Sequence, residues 1–98
     1  MIMRVFQVTT RPGKEEEFAA FFHGTAIPLM QNTPGMHMVL PGAPRPESPR
    51  DFSFVMVWES LDALKAFAGE DYTQPHIDPT EEALVEARSI KHYDLVET

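Results

Sequence analysis

The sequence predicts an α+β fold with the element order β-α-β-β-α-β, and three observations predict it. Residues 1–10 and 51–60 are free of glycine and proline and rich in β-branched and aromatic residues, the composition of strands. Each is followed by a stretch in which apolar residues recur at helical spacing. Breaker residues then punctuate the chain at Pro12-Gly13, at Pro34-Gly35 and through residues 41–49.

The first strand carries Ile2, Val5, Phe6, Val8 and Thr9, and the turn Arg11-Pro12-Gly13 closes it. From Lys14 the period changes. Phe18, Phe21, Phe22, Thr25 and Leu29 fall on one face of a helix, with Glu15, Glu16 and Glu17 in its first turn to complement the helix dipole. Pro28 is expected to kink or break this helix, because proline removes a backbone donor and crowds the preceding turn. Met36 to Leu40 reads as a short second strand, and the four prolines of residues 41–49 as an extended connection. Asp51 to Ser60 is the third strand, with Phe52, Phe54, Val55, Met56, Val57 and Trp58. Ser60 is a helix cap for Leu61, Leu64, Phe67 and Ala68, with Gly69 as the stop. After an irregular stretch over 70–80, Thr80 to Glu86 reads as a short helix and Ser89 to Val96 as the last strand. This order is the split βαβ, or ferredoxin-like, arrangement: a four-stranded antiparallel sheet with its helices on one face.

Composition narrows the function. Ninety-eight residues read as one domain, 1–98, and a core of that size gains from oligomerisation. Fifteen acids against eight bases leave a formal charge of −7, which argues against nucleic acid and against anionic membranes as partners. No apolar run approaches the ~20 residues of a membrane span, and the N-terminus lacks a signal-peptide stretch, so a cytoplasmic location is expected. The absence of cysteine removes disulfides, thiolate metal sites and cysteine nucleophiles. There is no phosphate loop, no dinucleotide fingerprint and no metal-ligand motif, so no cofactor and no metal are expected.

A second copy is expected as a partner. Phe52, Phe54, Met56 and Trp58 point to one side of the third strand, yet Val55 and Val57 point to the other. Both sides of the sheet are therefore apolar, while two helices cover one. The simplest cover for the other is the same face of another subunit, giving a homodimer through sheet faces.

Three blocks carry a resemblance to a known family. They are Val8-Thr9-Thr10-Arg11-Pro12-Gly13-Lys14, the lead-in Pro34-Gly35-Met36 to the second strand, and Phe54-x-x-x-Trp58-Glu59-Ser60-Leu61-x-Ala63-Leu64-x-Ala66-Phe67. Together they resemble the antibiotic biosynthesis monooxygenase family of dimeric α+β barrels, over nearly the whole chain, with the Trp-Glu-Ser block the most specific part. The superfamily includes cofactor-free oxygenases of polycyclic quinols, haem-degrading enzymes and members without a known reaction. The resemblance implies a pocket between helices and sheet with Trp58 in it. Haem-degrading relatives carry an asparagine on the first strand and a histidine about ten residues beyond the tryptophan. Phe6, Gln7 and Ala68 stand near those positions here, which counts against haem degradation.

Each candidate residue has a functional and a structural reading. Trp58 is a stacking surface for a flat substrate, or core. His76, in the proline-bounded loop 73–79, is a base, or an exposed loop residue. His92 and His37, on strands, and His23, beside the Phe21-Phe22 stripe, are either site residues or hydrogen-bonded framework. Tyr72 orients a substrate oxygen, or packs a loop. Six methionines, Met56 among them, suit an adaptable apolar lining or ordinary gap-filling. The expectation is a cofactor-independent monooxygenase of a small phenolic or quinol-like substrate. His76 and His92 are its catalytic histidines, and Trp58, Tyr72, His23, Phe22 and Met56 are its substrate contacts. The alternative is a non-catalytic dimeric module that binds a small ligand, or, further off, a haem-binding protein.

Overall fold

The computed structural model describes residues 1–74 and 79–98. Four strands, β1 (Ile2–Thr10), β2 (Met36–Gly42), β3 (Asp51–Trp58) and β4 (Val85–Asp94), form one antiparallel sheet in the order β2-β3-β1-β4. The helices are α1 (Glu15–Phe21), α2 (Ile27–Gln31), α3 (Leu61–Ala68) and α4 (Pro79–Leu84), and a π-helical turn, Phe22–Ala26, joins α1 to α2. This is the ferredoxin-like α+β arrangement that the sequence predicts.

Register assigns each side chain to a face. Arg4 pairs with Met56 and His92, Phe6 with Phe54 and Ile90, and Val8 with Phe52 and Arg88. Because neighbours in a strand point to opposite sides, these residues share the face that packs on the helices. The core lies there: Val8, Phe18, Phe22, Phe52, Phe54, Met56, Trp58, Leu64, Leu84 and Val85 are all buried.

The break expected at Pro28 takes another form. The backbone stays helical across both junctions (Phe22 φ −59°, ψ −51°; Ile27 φ −61°, ψ −50°). The chain widens into i→i+5 bonding one turn earlier, and Pro28 then sits in the first turn of α2, where its missing N–H is no loss. The wider turn delays the apolar stripe by about one residue. Met30 packs on the core, while Leu29, placed in the stripe by regular spacing, is 55% exposed.

Two strands are longer than their sequence suggests. β2 runs through Pro41 to Gly42, which is tolerated because β2 is the sheet edge and needs no outward donor. β4 begins at Val85, so the last helix stops at Leu84 rather than Glu86. The end of β1 requires this: Thr10 pairs with Val85, and the Arg11 N–H donates to the Leu84 carbonyl at 2.8 Å.

α3 is capped as its sequence implies, with Ser60 Oγ accepting from the Ala63 N–H at 3.1 Å. Gly35 serves the junction below it. Its φ is +83°, and a β-carbon there would lie 2.5 Å from that of Ala63, so only glycine lets the chain pass so close to α3.

Candidate functional site

A cavity of about 140 Å³ lies between the helical layer and the sheet. α1 and the π turn supply Phe18, Phe21, Phe22, Thr25 and Ala26, and α2 adds Leu29 and Met30. The sheet supplies Arg4, Phe6, Val8, Phe52, Phe54 and Met56, and Phe67 and Glu81 complete the lining. The aromatic walls brace one another: ring centroids are 4.6 Å apart for Phe18 and Phe52, and 4.8 Å for Phe22 and Phe54. Tilted rings at such spacing are favourable beyond the area they bury.

The volume is close to that of an engineered apolar cavity of ~150 Å³ that accepts benzene. The space therefore accommodates about one aromatic ring.

Two arginines stand on the helix-facing side of the sheet. Arg4 lines the cavity and is 3% exposed. Its Nη1 donates to the Tyr72 carbonyl at 2.9 Å and meets His92 Nε2 at 3.2 Å. Arginine has donors alone, so Nε2 of His92 accepts and the imidazole there is neutral. Burial lowers the Arg4 pKa, while burial first and the Arg4 charge second lower that of His92. The Tyr72 and His92 rings meet edge to face, with centroids 5.0 Å apart. Arg88 lies four residues along the sheet from Arg4, roughly 13 Å at ~3.3 Å per residue. Its Nε is 3.7 Å from Glu81 Oε1, an ion pair that puts the buried Glu81 at the opposite end of the cavity from Arg4.

The predicted site residues are thus distributed unevenly. Phe22 and Met56 are on the cavity wall. Trp58 is not: it is 0% exposed, beneath Phe67 at a centroid distance of 5.2 Å, and its indole N–H has no partner among the described residues. Phe67 holds a place on the wall, where the family resemblance implies Trp58. Tyr72 and His92 sit behind Arg4, lining a shallow polar depression with Ile2, Leu61, Tyr93 and Asp94. His23 is exposed on the π turn, and His37 is exposed on β2 at a bulge. His76 lies outside the described residues. Sequence reasoning missed Arg4, Arg88 and Glu81. Arg4 shares its face with Phe6 and Val8, and Arg88 shares its face with Ile90 and His92, so each is an isolated charge in its strand and carries no periodic signal. No group of three or more His, Asp or Glu suited to a metal ion occurs among the described residues.

Residues 1–78 match the sequence profile of the antibiotic biosynthesis monooxygenase family. The chain belongs to that family. Solved structures agree on the fold of this family member. A Caulobacter crescentus protein that carries the family's name is 25% identical, with a TM-score of 0.68 over 98% of this chain and 90% of its own. A Shewanella oneidensis protein is 23% identical, with a TM-score of 0.77 over 94% and 87%. A Deinococcus radiodurans protein, also bearing the family's name, is 16% identical, with a TM-score of 0.76 over 100% and 95%. No curated protein matches the chain.

Proposed function

We propose that this family member is a cofactor-independent monooxygenase whose substrate presents one phenolic or quinol-like ring to the cavity between helices and sheet. The observation that carries the reading is the cavity itself, an aromatic-walled space of one-ring size in a chain of this family. The substrate supplies all the electrons. A phenol reacting with O2 gives the quinone and water: one oxygen atom becomes the new carbonyl, the other leaves as water with two hydrogens from the ring and hydroxyl. The protein's part is to hold the ring, exclude bulk water and favour loss of the phenolic proton. Phe22 and Met56 provide wall, and His76 and His92 are the histidines proposed to take the proton. His92 does so only by exchanging its bond with Arg4, which makes it the weaker of the two.

The test is oxygen uptake by purified protein against a panel of monocyclic phenols and quinols, with quinone formation followed by absorbance. One mole of O2 consumed per mole of quinone supports the reading. Ligand binding with no uptake would leave the non-catalytic binding module, a reading favoured by the fact that the Nε2 lone pair of His92 is already engaged.

We also infer a homodimer through the sheet face that the helices leave bare. Met38 and Leu40 are 47% and 55% exposed there, beside Val55 and Val57 on β3 and Met3 and Val5 on β1. Burying ~400 Å2 of such surface per subunit at ~25 cal/mol per Å2 would contribute on the order of 10 kcal/mol before association costs. Sedimentation equilibrium of the wild-type chain tests it, and a monomer mass at micromolar concentration would remove it.

A further inference from the structure

We propose that Arg4 is an anion-binding residue, so that the cavity takes an aromatic ligand carrying an anionic oxygen, a phenolate or a carboxylate, paired with the guanidinium. The inference rests on the cavity being the ligand site and specifies the chemical class of what enters it.

Three observations support it. Arg4 is almost fully buried, yet it lies in no ion pair with an Asp or Glu among the described residues. A buried charge is expensive to leave unpaired, so a protein that keeps one there has a use for it. Next, the hydrogen bonds of Arg4 engage Nη1 alone, with the Tyr72 carbonyl and His92 Nε2. Three of its five N–H groups, on Nε and Nη2, have no partner among the described residues, which matches the two-donor fork that a carboxylate or phenolate oxygen accepts. Finally, the group is fixed. Its two Nη1 partners come from the segment after α3 and from β4, so the guanidinium is oriented before any ligand arrives.

The neighbouring charges do not supply the missing anion. His92, from β4, is neutral where it meets Arg4, and Tyr72 presents its carbonyl. Glu81, the one acid on the cavity lining, belongs to the Arg88 end. The remaining lining residues carry no charge. A ring lying among Phe22, Phe54 and Met56 with its oxygen toward Arg4 would thus complete the pairing.

The sign of one optical titration tests this. 4-Nitrophenol has one ring and different spectra as phenol and phenolate, so the spectrum reports which form is held. Bound to the wild-type protein, its apparent pKa is expected about one unit or more below that of the free probe, about a tenfold preference for the anion. A purely apolar cavity moves it the other way, because burial penalises the charged form. The fall should vanish in Arg4→Gln and persist in part in Arg4→Lys, which keeps the charge without the fork. Benzoate should displace the probe about tenfold better than benzamide, its neutral counterpart. The relative affinities of benzoate and 4-nitrophenolate then say whether carboxylate or phenolate is preferred. An unchanged or raised pKa in the wild type, or no binding of the probe, overturns the proposal, and this comparison holds even if Arg4→Gln does not fold. Oxygen uptake is scored separately: a lowered pKa without uptake removes the monooxygenase and leaves the anion site, and uptake with a raised pKa does the reverse.

Discussion

The two faces of the sheet differ in the company their charges keep. The face covered by helices holds Arg4 and Arg88 among its phenylalanines, whereas the bare face offers Met38, Leu40, Val55 and Tyr93 at one end, with the exposed Lys91 beside Val5. Solvent exposure alone would place them the other way round. Each face is explained by what it meets. Apolar side chains left at the surface suit another protein surface, and cations kept inside suit an anion. The overall charge of −7 sharpens the contrast, since the long-range field of such a chain repels anions and any preference for them must come from a local, buried group.

The covered face should be the more fragile. Trp58→Ala removes a fully buried ring from beneath α3 and is expected to cost about 3–5 kcal/mol in urea unfolding. A loss under about 1 kcal/mol would mean that the space beneath α3 is loosely filled. The bare face should respond in association instead. Leu40→Asp is expected to shift the mass in sedimentation from dimer to monomer with the circular dichroism spectrum unchanged; if the spectrum collapses, the bare face is part of the protomer's own stability. Ser60→Ala, which removes the cap of the helix over Trp58, is expected to cost about 1 kcal/mol with no change in mass.

The smallest effect is in pH. The folded protein holds His92 below its ordinary pKa through burial and the Arg4 charge, so the unfolded chain takes up the proton first as pH falls. The stability linked to this histidine is complete above about pH 6.5 and declines as pH drops toward the folded value. Comparing urea midpoints at about pH 7.5 and about pH 5.5 should show a fall that His92→Asn reduces. An equal fall in the variant would assign the acid sensitivity to other groups.

The helical wall of the cavity was legible in the sequence because it repeats. Phe18, Phe21, Phe22 and Thr25 share one helical face by spacing alone and line the cavity, while Leu29, beyond the π turn, reaches it only from a half-exposed position. Arg4 was not legible. A single arginine in a strand carries no periodic signal, and its partners Tyr72 and His92 lie 68 and 88 residues away along the chain. Trp58 illustrates a different difficulty. Alternation correctly gave its face of β3, but a face has depth, and the placement of α3 puts Phe67 between it and the cavity. The π turn has no composition of its own, since a shift from i→i+4 to i→i+5 bonding changes which carbonyl is used without demanding a particular side chain.

That turn leaves the roof of the cavity one residue out of phase with a regular helix. The π turn absorbs one extra residue, so deleting a single residue between Phe22 and Ala26, Gly24 being the one without a side chain, would leave a regular helix with Met30 still above the rings. Closing the turn to i→i+4 bonding at constant length would instead rotate all that follows by about 100°, swinging Leu29 inward and Met30 outward. The shape of the ligand space is thus adjustable through the bonding of one backbone turn rather than through its lining, a kind of variation that comparing side chains position by position would not register.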